Sequence, residues 1–160
     1  MRLRERSAPV PPRDVTVAGS DPRPVVLATL AVPFEPEAFR IALQAAMESS
    51  VTLIVVDAVE LPFWPQSIAT RHADIELESD RERIRELVSQ AAGLGVQVEH
   101  LRVRSPRPAE AVVEIAKERR AGLLVFGPDP ARLRPRFFSR VVKRIRKRAS
   151  CLLWVAGEGP

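Results

Sequence analysis

The stretch VQVEHLRVRSPRPAEAVVEIAKERRAGLLVFG, residues 96–127, carries the pattern of a complete strand–helix–strand unit. Val96, Val98, Leu101 and Val103 read as a strand. Pro108 suits the first turn of a helix, where its missing N–H costs nothing. Ala109, Val112, Val113 and Ala116 then repeat at helical spacing. Leu123 to Phe126 is a short continuous apolar run, as expected of a strand covered on both faces of a parallel sheet. Gly127 ends it.

The same alternation extends in both directions. Val25 to Leu30 and Thr52 to Val56 are short apolar runs, and between them Phe39, Ala42, Leu43 and Ala46 form a helical stripe behind Pro36. Leu61 to about Glu78 reads as irregular. Ser79 and Glu82 make a capping-box pattern, which predicts a helix start there. Ile84, Leu87, Val88 and Ala91 form its apolar stripe, and Gly93 and Gly95 stop it. Towards the C-terminus, Phe138, Val141, Val142 and Ile145 stripe a last helix, and Cys151 to Val155 is a last strand. Alternating strands and helices predict a single-domain α/β fold over residues 23–157, with a parallel sheet, right-handed crossovers and helices on both faces. Ligands of such sheets bind at the carboxyl ends of the strands, where strand order reverses. Residues 1–22 alternate Arg, Pro and small polar residues without periodicity and are expected to form a disordered arm.

Composition narrows the function. The 160 residues suffice for one domain with a sizeable core. No apolar run approaches the ~18 residues of a membrane span. The arginines near the N-terminus are followed by no apolar signal core. One cysteine allows no internal disulfide and no multi-cysteine metal site, which fits a reducing cytoplasm. The net charge of +5 is unevenly placed: nine basic residues and no acid lie between Arg132 and Arg148. Removing these nine from the 25 Lys and Arg leaves 16 against 20 Asp and Glu, a net charge of −4. A concentrated basic face of this kind suits phosphate, nucleic acid or an acidic protein, or is simply solvated.

Neither His72 nor His100 has a Cys, Ser or carboxylate at a recognisable motif spacing, so no triad, nucleophile elbow or metal cluster is read, and an enzyme is not expected. Cys151 reads as a small hydrophobe at a strand start. Phe63 and Trp64, between Pro62 and Pro65, form an aromatic knot on the ligand side of the sheet. It suits loop packing, or a platform over a pocket.

On the residues PAEAVVEIAKERRAGLLVFG (108–127), with VVLATLAVPFEPEAFRIALQAA (25–46) and SRVVKRIRKRASCLLWV (139–155), the chain resembles the universal stress protein family. That resemblance implies a five-stranded parallel sheet of order 3-2-1-4-5 and a homodimer. ATP-binding members carry an Asp at the end of the first strand and a G-x-x-G-x9-G-(S/T) pattern after the fourth. Here Leu30 stands at the Asp position, Gly127 keeps the first glycine, Pro130 lies near the second, and Ser139 and Arg140 stand at the final pair.

The leading expectation is a cytoplasmic, non-catalytic regulator of stress response that needs no cofactor. It would pair with itself through Cys151, Leu152, Leu153, Trp154 and Val155, which cover an apolar edge. One alternative is an ATP or AMP pocket lined by Leu30, Val56, Gly127, Ser139 and Arg140, with Arg132, Arg134 and Arg136 gripping phosphate by charge. The other is nucleic acid or an acidic partner on the face from Arg132 to Arg148. No membrane partner is expected.

Overall fold

The computed structural model describes residues 22–61 and 70–158, without the side chains of residues 70–77. The expected arm, apart from Pro22, lies outside the described residues, as do Phe63, Trp64 and the side chain of His72.

In chain order the elements are β1 (Val25–Thr29), α1 (Pro36–Ser49), β2 (Leu53–Glu60), α2 (Thr70–Gly93), β3 (Val98–Ser105), α3 (Pro108–Glu118), β4 (Leu123–Phe126), a single 3-10 turn (Pro130–Arg132), α4 (Pro135–Arg148) and β5 (Leu152–Val155). All strand pairs are parallel and the order is β3-β2-β1-β4-β5. Strand order therefore reverses between β1 and β4, whose carboxyl ends open the crevice expected to hold ligands.

The pleat divides the core. Val25 and Leu27 with Leu53, Val55 and Val125 pack under α1 and α2 through Ala38, Ala42, Ala46, Ile84 and Ala91. Val26 and Ala28 with Ile54, Val56, Leu124 and Phe126 pack under α3 and α4 through Val112, Val113, Val141, Val142 and Ile145. Small alanines on α1 let that helix approach the sheet closely. Phe126 stacks on Phe138 at 6.1 Å between ring centres, fastening α4 to β4.

Pro36 and Pro108 open helices as expected, and Pro135 opens a third. The capping-box expectation is corrected. Helix α2 begins at Thr70, so Ser79 and Glu82 lie inside it rather than at its start. The segment before Ser79 has no apolar stripe to betray it, yet its Ala and Glu residues favour helix, and continuous turns extend the packed half backwards. The stop at Gly93 stands, with Gly95 at φ +88° carrying the reversal into β3.

Candidate functional site at the carboxyl end of the sheet

The β1–α1 turn and the β4–α4 loop flank the crevice, and each is stitched to the other. Gly127 N–H donates to the Ala28 carbonyl at 2.8 Å, and the Gly127 carbonyl accepts from Glu35 N–H at 2.9 Å. Asp129 N–H donates to the Pro33 carbonyl at 3.0 Å, beside an antiparallel bridge between Phe34 and Pro128. Asp129 then caps the 3-10 turn through Ala131 N–H at 3.0 Å. Arg132 and Leu133 donate N–H groups to the carbonyls of Asp129 and Pro130. Pro128 and Pro130 have no N–H. From Gly127 to Leu133 every backbone donor is thus spent inside the protein.

Gly127 is a packing glycine in this setting. A Cβ there would lie 2.4 Å from Ala38 Cβ and 3.3 Å from Leu27 Cδ1, so α1 occupies the space above it. Pro130 rests instead on the turn after β5, where a Cβ on Gly157 would meet its ring at 2.8 Å. Leu30 is 7% exposed and joins the core under α3 and α4, and Val56 is wholly buried there.

Two helices, α1 and α4, follow β1 and β4 and start at this end of the sheet. Helix α1 carries its own anion: the Glu35 carboxylate accepts from Ala38 N–H at 3.1 Å. Helix α4 is capped by Arg134, which makes no side-chain cap bond. Ser139 and Arg140 line a shallow concavity of about 630 Å³ beside that start, together with Pro135 and Arg136. Of the five residues expected in one nucleotide pocket, three are therefore inside the fold and two on this outer surface. Leu30, Val56 and Gly127 do not line that concavity.

The three loop arginines also divide. Arg132 reaches across to α2, with Nη2 3.4 Å from both oxygens of the largely buried Asp80. Arg134 and Arg136 are exposed and form no ion pair among the described residues.

The charged residue at this end of the sheet that sequence reasoning missed is Asp57. It is 2% exposed, on β2 in register with Thr29 of β1 and Arg102 of β3. Its Oδ1 accepts from Ala31 N–H at 3.0 Å and its Oδ2 lies 3.3 Å from Arg102 Nη1. Ala31 is left-handed, at φ 59°, and Thr29 Oγ1 donates to the Val32 carbonyl at 2.6 Å. Together these bonds fix the β1–α1 turn. Burial pushes the Asp57 carboxyl above the ordinary range, against the pull of Arg102, the Ala31 N–H, His100 and Arg81. The signal in the sequence was a single charge inside the apolar run VTLIVVDAV (51–59).

His100 lies on β3 beside this cluster, and burial lowers its pKa against the opposing pull of Asp57. Burial raises the Cys151 thiol, which makes it a poor nucleophile at neutral pH. A larger concavity, about 910 Å³, opens at the opposite, amino end of the strands. Its ionic side chains, Glu99 and Arg119, are already joined by two hydrogen bonds of 2.6 and 2.7 Å.

Strand β5 is the exposed edge next to α4, and Leu152 on it is 74% exposed. Ala156 N–H donates to the Phe126 carbonyl. By alternation along the strand, the N–H groups of Leu153 and Val155 point away from the sheet.

A parallel α/β sheet with this order and a crevice between β1 and β4 has the architecture of the nucleotide-binding doubly wound folds. The sequence profile of the universal stress protein family matches residues 5–157, and the chain belongs to that family. Among solved structures it is similar to a universal stress family protein from Burkholderia pseudomallei, at 20% identity over 86% of this chain and 98% of that one, with a TM-score of 0.63. It is also similar to a universal stress protein in complex with cAMP, at 24% identity over 84% of this chain and 95% of that one, with a TM-score of 0.56. A universal stress protein from Archaeoglobus fulgidus in complex with dAMP is similar at 22% identity, over 83% and 96%, with a TM-score of 0.57. At these identities the likeness shows the fold. No curated protein matches the chain. No helix among the described residues is long and apolar enough to cross a membrane.

Proposed function

We propose that this universal stress family protein is a non-catalytic regulatory binding protein of stress response. It acts as a homodimer joined through β5, without a backbone cradle for nucleotide phosphates. One observation carries the reading: the β4–α4 loop has no backbone donor left between Gly127 and Leu133, and α1 fills the space above Gly127. A phosphate cradle needs free N–H groups and room for close approach. A nucleotide such as the cAMP or dAMP of the similar complexes therefore finds no backbone phosphate cradle at this corner. The single cysteine suits the cytoplasm.

The dimer follows from the edge. An exposed parallel edge with an apolar Leu152 and outward N–H groups invites pairing, and a second β5 running antiparallel covers both edges symmetrically. Sedimentation equilibrium at micromolar concentration is expected to give two copies per particle. Leu152→Lys, which places a charge on the edge but leaves the core alone, is expected to weaken self-association at least ~10-fold. A wild-type monomer, or a dimer indifferent to Leu152→Lys and to Val155→Pro, would overturn the interface.

A second reading has one observation in its favour. The start of α4 has no side-chain cap and lies beside Arg136, Ser139 and Arg140, which suits a phosphate held by arginines. It predicts weak binding that is lost in salt and indifferent to the base.

A further inference from the structure

The geometry points to the outer ridge of α4 as a docking surface for the phosphate backbone of duplex DNA. Arg136, Arg140, Lys143 and Lys147 fall at i, i+4, i+7 and i+11, which is one stripe of a helix. The stripe lies opposite the core stripe of Phe138, Val141, Val142 and Ile145. All four cations are exposed, and none makes an ion pair among the described residues. Of the three cations flanking the ridge, two have partners and Arg148 has none among the described residues. Arg144 reaches Glu110 at 3.5 Å on one side, and Arg146 pairs with Glu158 on the other. Acidic residues thus neutralise one cation on each shoulder, while Arg148 and the crest keep their charge.

Length, rigidity and chemistry favour duplex DNA over other anions. At 1.5 Å rise per residue the ridge runs about 16 Å, the length of duplex axis that carries roughly five phosphates per strand. Helix α4 is held by Val141, Val142 and Ile145 in the core and by the Phe126–Phe138 stack, so the charges sit on a fixed rod. A protein partner would gain most from a buried anchor at the centre of the interface, and the ridge, all exposed cations, offers no apolar or aromatic one. Seating in a membrane surface would draw on apolar side chains entering it as well as on charge, and those of α4 are spent on the core. A duplex needs only charge in line. With no aromatic on the ridge there is no platform for bases, so contact is to phosphates and is blind to sequence. The rest of the chain, with more acidic than basic residues, repels the duplex and confines contact to this helix.

The test is fluorescence anisotropy of the full chain with two short labelled DNA duplexes of unrelated sequence, across a salt series. Both duplexes are expected to bind alike, with log K falling against log salt at a slope of about −3 to −4 for four phosphate contacts. Lys143→Gln combined with Lys147→Gln is expected to reduce that slope by about 2. Arg83→Gln with Arg107→Gln, which removes two exposed charges elsewhere, is expected to leave it unchanged. Far-UV circular dichroism checks that both variants keep the fold. No binding at low salt, a slope unmoved by the α4 variant, or equal competition by a polyglutamate peptide would each overturn the assignment. None of these outcomes bears on dimerisation through β5.

Discussion

Asp57→Ala is expected to lower stability by about 3 kcal/mol, a fall of roughly 6–12 °C in Tm for a chain of this size. The loss has three parts, all at the carboxyl end of β1. The Ala31 N–H loses its acceptor, the left-handed Ala31 loses what holds it, and Arg102 loses its counter-charge among nearby cations. Asp57→Asn keeps an acceptor for Ala31 and removes a charge whose burial is unfavourable, so it should cost much less. Adding Ala31→Gly to Asp57→Ala should recover part of the loss, since glycine adopts φ 59° without strain. If alanine and asparagine cost the same, the Ala31 bond is not what matters.

The pH dependence has a definite sign. Burial raises the folded-state pKa of Asp57, so the native chain keeps its proton to a higher pH than the unfolded chain. The stability of the wild type relative to Asp57→Asn is therefore greatest below the ordinary aspartate range. It declines as pH rises through the window between the unfolded and folded values. Urea titrations of both proteins across that window would show the gap changing in this direction. A gap that grows with rising pH would mean that Arg102 outweighs burial.

Gly127→Ala is expected to cost about 2–3 kcal/mol by pushing α1 off the sheet, because the new methyl would meet Ala38 Cβ at 2.4 Å. Ala38→Gly alone costs about 1 kcal/mol as a helix glycine, yet it opens the space that the methyl needs. The double variant should therefore be more stable than Gly127→Ala alone, a coupling that thermal melts of the four proteins would measure. A glycine kept for phosphate approach behaves differently: its alanine variant would hold stability and lose nucleotide. The melts thus separate a packing role from a binding role at the one glycine that the chain retains from the ATP-binding pattern.

The strand and helix plan was legible because each buried element repeats its apolar residues at one period. Val25–Thr29 and Leu123–Phe126 are continuous runs, and α1, α3 and α4 carry clean stripes. The first turns of α2 were not legible, since the residues before Ser79 carry helix propensity without a stripe. That Pro128 and Pro130 lack an N–H for a backbone phosphate cradle can be read in the chain itself. The contacts of Gly127 were not visible in the chain: it pairs with Ala28 and Glu35, and a Cβ on it would meet Ala38, all more than 80 residues earlier. Asp57 and Arg102 are 45 positions apart and meet only through the β2–β3 register. The ridge on α4 was visible as charge, but which cations stay unpaired depended on where Glu110 and Glu158 fall.

The central claim is that the crevice between β1 and β4 is closed to a backbone-cradled nucleotide. Calorimetric titration with ATP and AMP, with and without Mg²⁺, at low and high salt, tests it most directly. No binding is expected, or weak heat that vanishes in salt and does not distinguish adenine from another base. Micromolar, salt-tolerant binding that requires the adenine base would contradict it.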